Sequence, residues 1–289
     1  MPVVAVMKKI LSVFGRLKSI PYTNPDLTPA NWCRVQPCKK VRIRSRDLIL
    51  TQPTSTFLVY ALGVLTIGAG FYFLFIQAGE ISRLWWGISL LLWGVGALLA
   101  GTSYQAFGYE IKCAGRQSCA WTSWWEVVYL MFQQVSMNAM LVAVLYSCTE
   151  GTTRLVLLIF ALLSSAAYVV FVFIGGIVPI KSFITFNVMV WLSTPALLIC
   201  LFLNGWRYYY YSDPMDLSFL VTWALLLLTS AVYWLYDALD ITKKLWARGK
   251  GIWFSQNDVL HVCLILWIIY IVTIVADRVK DYTLPVLPG

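Results

Sequence analysis

Apolar residues run along this chain in seven long blocks separated by short polar interruptions. The blocks cover about Thr56–Ala78, Leu84–Tyr109, Trp121–Cys148, Arg154–Gly176, Phe183–Leu203, Leu217–Leu239 and Asp258–Ala276. A helix crossing a bilayer needs about 20 mostly apolar residues, and each block is long enough. The blocks are continuous, whereas membrane barrel strands are alternating segments of about ten residues. The pattern therefore predicts an all-α polytopic membrane protein with seven transmembrane helices. Residues 55–278 form the helical domain, with a basic tail over 1–54 and a short tail over 279–289.

Composition agrees with the pattern. The 289 residues are 60% hydrophobic, 16% aromatic and 12% charged, and mean hydropathy is +0.74. Ordinary soluble domains carry about 25% charged residues. A soluble enzyme, a disordered regulator and a secreted disulfide scaffold are excluded.

The position of the charges adds orientation. Cytoplasmic loops are enriched in Lys and Arg. Ten cations precede residue 55: Lys8, Lys9, Arg16, Lys18, Arg34, Lys39, Lys40, Arg42, Arg44 and Arg46. Lys112, Arg116, Lys181, Lys243, Lys244, Arg248 and Lys250 share their side, for 17 in all, against five on the other: Arg83, Arg154, Arg207, Arg278 and Lys280. The count predicts the amino terminus inside and the carboxyl terminus outside. The net charge of +9 then reflects the basic tail and no nucleic-acid partner. Val3, Val6, Met7, Ile10, Val13, Phe14, Leu17 and Ile20 recur at helical spacing beside cations. They suit a helix lying on anionic inner-leaflet lipid, with a basic tail that only sets topology as the alternative. Lys8 and Lys9 interrupt any signal-peptide core.

Small residues at Gly96-x-x-x-Ala100, Ala97-x-x-x-Gly101 and Ser164–Ala167 permit close helix approach. Trp and Tyr at the block ends (Trp85, Trp86, Trp121, Trp124, Trp125, Trp206, Tyr208–Tyr211, Trp246, Trp253) read as interfacial belts. Cys33, Cys38, Cys113 and Cys119 fall on the predicted inner side. Reduced thiols are the first reading there; a four-thiolate metal site and, with inverted topology, disulfides are the others.

Charge is so rare within the blocks that each ionisable residue is a candidate for function. Gln105, Glu126, Asp237, Asp258 and His261 all fall within about two turns of the predicted inner surface. Ser123-x-x-Glu126 and Ser255-x-x-Asp258 also match the capping box, so both acids have a structural reading. Asp213-Pro214-x-Asp216 starts the sixth helix in the same way. Asp237 is at a helix C-terminus, where the dipole disfavours an acid, and no basic residue stands three or four positions away. A partner on another helix is expected for it. His261, the only histidine, is one turn beyond Asp258, whose carboxylate could orient it. In the third block Glu126, Tyr129 and Gln133 share one face, and Gln133, Gln134, Ser136 and Asn138 form a polar band. This band either lines a cavity with Asn187, Ser193 and Thr194 or bonds neighbouring helices.

Ser103 in the second block, an acid early in the third and Asn257-Asp-Val-Leu-His261 opening the seventh form a further pattern. In these residues and in its seven spans the chain resembles the superfamily of alkaline ceramidases, adiponectin-receptor-like (progestin and adipoQ receptor) proteins and GPI-lipid-remodelling proteins. The resemblance implies a seven-helix fold and a metal-dependent lipid amide hydrolase. Its pattern is Ser-x-x-x-His in the second helix, Asp in the third and His-x-x-x-His in the seventh. Ser103 and His261 match, and Glu126 stands near the Asp position. Phe107 and Asn257 replace two histidines, so any metal is left with His261 and Glu126, and zinc is disfavoured.

These readings converge on a cavity for a lipid or amphiphile, lined by Ser103, Gln105, Tyr129, Gln133, Asn138 and Asn257. His261, Glu126, Asp258 and Asp237 are the candidate catalytic groups, and the reaction they would serve is lipid amide or ester hydrolysis. The alternatives are a non-catalytic receptor or scaffold and a transporter or channel. No block holds a lysine placed for retinal in the seventh helix, and no nucleotide fingerprint occurs. Membrane lipids are the expected partners, and an oligomer is open.

Overall fold

A computed structural model describes residues 15–178, 180–246 and 251–282. Most of the amphipathic segment expected over residues 3–20 lies outside these residues. Among the described residues, seven helices are long and apolar enough to cross a membrane. In chain order the elements are α1 (Trp32–Val35), strands β1 (Cys38–Ile43) and β2 (Arg46–Thr51), then α2 (Pro53–Phe75) and α3 (Ile81–Ala100). α3 runs on as a π-helical stretch, Gly101–Ala106. The remainder are α4 (Gly108–Lys112), α5 (Trp124–Cys148), α6 (Gly151–Ile177), α7 (Phe186–Tyr211), α8 (Pro214–Ala238), α9 (Ile241–Leu245) and α10 (Gln256–Tyr270), which ends in a second π stretch. The seven long helices are α2, α3, α5, α6, α7, α8 and α10, each overlapping one predicted block.

Burial ranks them. About 72% of the most apolar stretch of α5 is buried, against 17% for α6. α5 is therefore the central post, and this explains its polar residues: in lipid they have no water to bond, so they must face protein. Ser89 and Ser136 exchange bonds between α3 and α5, each hydroxyl donating to the other residue's carbonyl at 2.8 Å. Gln134 donates to the Leu192 carbonyl of α7 and also bonds the Ser193 hydroxyl. Asn138 donates to Ser164 and Ser165 of α6 at 3.0 and 2.8 Å. Of the two readings of the polar band, this is the interhelical one. On the outside, Phe57, Phe75, Leu162 and Trp191 present bare apolar side chains.

α2 packs closely against α3. Gly63 faces Gly94, and Gly70 faces Gly87, so backbone meets backbone; a Cβ added at Gly94 would stand 2.8 Å from the Gly63 carbonyl oxygen. The small residues singled out in the sequence serve other contacts: Gly96 faces Phe132 and Gln133 of α5, and Gly101 faces Val59. Below this seam Phe73, Trp86 and Trp223 stack in series. Trp86 is therefore core and not belt, because its ring fills the space that the glycine contacts leave between helices. Trp125 and Trp206 remain exposed, as the belt reading expects.

One end of the bundle carries a folded cap. β1 and β2 form an antiparallel hairpin with Cys38 opposite Thr51, and Thr23 bridges Ala120. Trp32 is buried and donates its indole N–H to Thr51 at 3.2 Å, while Glu110 accepts the Ile49 amide at 3.0 Å. At the other end, Asp281 accepts the free amides of Ile81 and Ser82 at 2.9 and 2.7 Å, supplying the cap that α3 lacks from its own chain neighbours.

The four cap cysteines form two disulfides, Cys33–Cys38 and Cys113–Cys119, which corrects the reduced-thiol expectation. The turn from α1 into β1 brings Cys33 to Cys38, and the loop after α4 brings Cys113 to Cys119. Disulfides persist in oxidising compartments, whereas the cation count faces the same end toward the cytosol. Maleimide applied to the denatured protein is expected to leave the four cap cysteines unlabelled before reduction and to label them after it. Labelling without reduction would return them to free thiols.

Gly94→Ala is expected to lower stability by about 1–3 kcal/mol, the usual range for overpacking, read as a lower melting temperature in detergent. Gly68→Ala, where an added Cβ meets nothing within 4 Å, is expected to melt like the parent.

Candidate functional site

The cap and the bundle meet at Glu126. The residue lies in the first turn of α5 and is 2% exposed. A carboxylate so placed needs partners, because burying an unpaired charge costs several kcal/mol. One oxygen accepts Lys112 Nζ at 2.7 Å and Ser103 Oγ at 2.8 Å; the other accepts Thr122 Oγ1 at 3.0 Å. Ser123, the N-cap of α5, makes no side-chain cap bond and pairs its hydroxyl with Ser103 at 2.7 Å. The expected capping box therefore does not form here. Lys112 outcompetes a backbone amide for the carboxylate, since a charge-assisted bond is roughly twice as strong as a neutral one.

The π-helical stretch makes this geometry. Such bulges recur at functional sites, and this one buries both Ser103 and Gln105. Ser103 reaches Glu126, while Gln105 faces a cavity of about 170 Å³ lined by Ala100, Tyr104, Gln105, Tyr129, Phe186, Tyr233, Asn257, Leu260 and His261. Four residues expected together from sequence (Gln105, Tyr129, Asn257 and His261) do meet on this cavity. Two polar atoms in its wall have no hydrogen-bond partner: Gln105 Oε1 and His261 Nδ1. Their residues are 3% and 8% exposed. Tyr104 ties the two features together, since its ring meets Tyr129 edge-on at 6.3 Å and the Lys112 ammonium stands 5.0 Å from its centroid.

The other expected residues are elsewhere. Asp258 closes a capping box with Ser255, accepting its amide and hydroxyl, which is the structural reading of that acid. Ser103 belongs to the Glu126 cluster and is not in the cavity wall. Asn138 bonds to α6 deeper in the bundle, and Gln133 packs by Gly96, so neither lines the cavity. Asp237 is exposed. Among the described residues no cation comes within 4 Å of it, so the expected cross-helix partner is absent. It lies on the outer side of a helix end, where water solvates it, and borders a second cavity of about 360 Å³ with Asp240, Lys243, Trp246, Trp253 and Asn257. Asn257 is the wall shared by the two cavities.

Some polar residues escaped sequence reasoning. Lys112 is buried opposite Glu126, but it comes from the end of α4, 14 residues away, and no periodicity links them. Asp216 does more than start α8: Asp213 caps that helix, and Asp216 accepts Arg207 Nε and Asn204 Nδ2, each at 3.0 Å. Asn204 in turn accepts the Trp223 indole at 2.9 Å. An arginine one turn beyond the end of an apolar block was the signal for this second buried pair.

The matched residues do not fit the zinc centre that the family resemblance implies. Among the described residues no three His, Cys, Asp or Glu side chains gather to hold a metal ion, and Glu126 is engaged by Lys112.

A family model described as a family of unknown function (DUF6962) matches residues 55–279. The chain belongs to this family. The DUF6962 match takes in all seven long helices, the π stretch, Glu126 and the cavity, and it begins just after the hairpin. No curated protein and no solved structure matches the chain.

Lys112→Met and Glu126→Gln are each expected to cost about 3–5 kcal/mol by leaving a buried polar partner uncompensated. The double variant is expected to recover much of that loss. Thermal melts of the four proteins in one detergent check this coupling.

Proposed function

We propose that this protein is an integral multi-pass membrane protein that binds an amphiphile, with the polar end of the ligand in the cavity bounded by Tyr104, Gln105, Tyr129, Tyr233, Asn257 and His261. One observation carries the reading: Gln105 Oε1 and His261 Nδ1 are buried in the cavity wall without a partner. Leaving such a group unsatisfied costs about 1–3 kcal/mol, and a ligand that bonds both recovers that cost. Binding sites between helices of a bundle typically combine apolar walls with a few convergent polar groups, and Ala100, Phe186 and Leu260 supply the apolar share here.

Hydrolysis is not part of this reading. A general base must reach the proton that it removes, and the oxygens of Glu126 already receive Lys112, Ser103 and Thr122. Asp258 takes the Ser255 amide and hydroxyl on Oδ2, and His261 Nδ1 has no hydrogen-bond partner, so the acid–base pair that the sequence offered is not formed. The amphiphile-handling side of the resemblance is kept and its metal chemistry is not.

The test uses photoactivatable hexadecanol and photoactivatable palmitic acid on the protein in nanodiscs. At least one probe is expected to label peptides that contain Tyr104, Tyr129 or Tyr233. Ala100→Phe, which fills the cavity from its apolar wall, is expected to reduce that labelling about tenfold. Labelling spread over the outward faces of α6 and α7, unchanged by Ala100→Phe, would overturn the proposal.

A further inference from the structure

The charge inventory around the cavity limits what can occupy it. None of its nine lining residues is an acid, a lysine or an arginine. Two buried carboxylates stand close behind the wall and both are engaged: Glu126 pairs with Lys112 at 2.7 Å, and Asp258, next to Asn257 in the chain, closes the capping box with Ser255. Asp237, Asp240 and Lys243 line the neighbouring cavity instead, and the described Lys243 pairs with Asp240 at 3.2 Å. His261 has no ion-pair partner among the described residues. A charged headgroup brought here would leave its hydration shell and meet no counter-charge, which is strongly unfavourable in a buried site.

What the cavity does offer is hydrogen bonding of both senses. Gln105 Oε1 is an acceptor. His261 Nδ1 is open and, in the neutral ring, is a donor or an acceptor according to the tautomer. The Tyr129 and Tyr233 hydroxyls and the Asn257 amide can give or take a bond. A volume of about 170 Å³ suits a small polar group with its first few carbons.

We infer that the ligand is an uncharged amphiphile whose headgroup carries a hydroxyl, donating to Gln105 and bonded in turn to His261. This rests on the binding reading above and narrows it to a lipid class. Neutral glycerolipids and long-chain alcohols fall inside that class; phosphate-bearing, carboxylate and ammonium lipids fall outside it.

The experiment compares three competitors with the same two oleoyl chains against the photoactivatable probe that labels the cavity, in phosphatidylcholine nanodiscs. They are dioleoylglycerol, dioleoyl phosphatidic acid and dioleoyl trimethylammonium propane. Dioleoylglycerol is expected to displace the probe at a concentration at least tenfold lower than either charged lipid. Gln105→Leu and His261→Leu are each expected to weaken that displacement about tenfold, while size-exclusion profiles stay monodisperse. Should either variant fail to fold, the ranking of headgroups on the parent protein decides alone. Equal or stronger displacement by phosphatidic acid or the ammonium lipid, with labelling still lost in Ala100→Phe, would overturn the uncharged headgroup and leave the binding reading standing. Labelling that ignores both Ala100→Phe and all three competitors would bring down the binding reading itself.

Discussion

A carboxylate placed inside an apolar bundle has to be answered by the protein, and Glu126 organises one end of this molecule for that reason. Its donors arrive from three separate segments: Ser103 from the π stretch after α3, Lys112 from the end of α4, and Thr122 from the approach to α5. Satisfying one charge therefore fixes the mutual position of the cap, the π stretch and the central helix. The same constraint sets Tyr104 and Gln105 on the far side of the stretch, where they form the cavity wall. Burying the pair is not in itself a gain in stability, because desolvation offsets much of the attraction. Its value is that few other arrangements of these segments satisfy the charge.

The opposite end repeats the solution with different residues. Arg207 and Asp216 pair at 3.0 Å, Asn204 links them to Trp223, and the Arg207 guanidinium stands 5.1 Å from the Tyr282 ring centroid. Asp281 and Arg83 tie the C-terminal residues to the start of α3. Between the two polar ends the middle is dry: glycine contacts between α2 and α3, a Phe73–Trp86–Trp223 stack, and the hydroxyl and amide bonds that α5 makes to its neighbours. Several buried polar atoms of the bundle lack a partner, and Gln105 Oε1 and His261 Nδ1 are the two of them that share the wall of one cavity. That convergence is what supports the binding reading.

Much of this was legible along the chain. Seven blocks of about 20 apolar residues dictate seven long helices, because only a helix satisfies its backbone within one continuous apolar segment. Depth along the helices also brought Gln105 and His261 to one level, since position along a helix sets height in the bundle, while Tyr129 entered through the face it shares with Glu126 and Asn257 through the family pattern. The Ser255–Asp258 capping box was equally readable, because it is a contact within one turn.

Tertiary structure decided everything that depends on which helix faces which. Periodicity assigns a residue to a face but does not say what stands opposite, so Lys112 could not be matched to Glu126, nor Arg207 to Asp216. For the same reason Asp237 looked in need of a partner and proved to face outward, and Asn138 looked like cavity wall and proved to be a strut to α6. The cap disulfides close the α1–β1 turn and the loop after α4, where Cys38, Cys113 and Cys119 pack with Trp32 and Tyr109. Sequence alone determined the number, length and depth of the helices, which follow from local hydrophobicity. Pairing of buried charges, the glycine seam and the open hydrogen-bonding groups of the cavity follow from rotation and approach between helices, which exist only in the assembled fold.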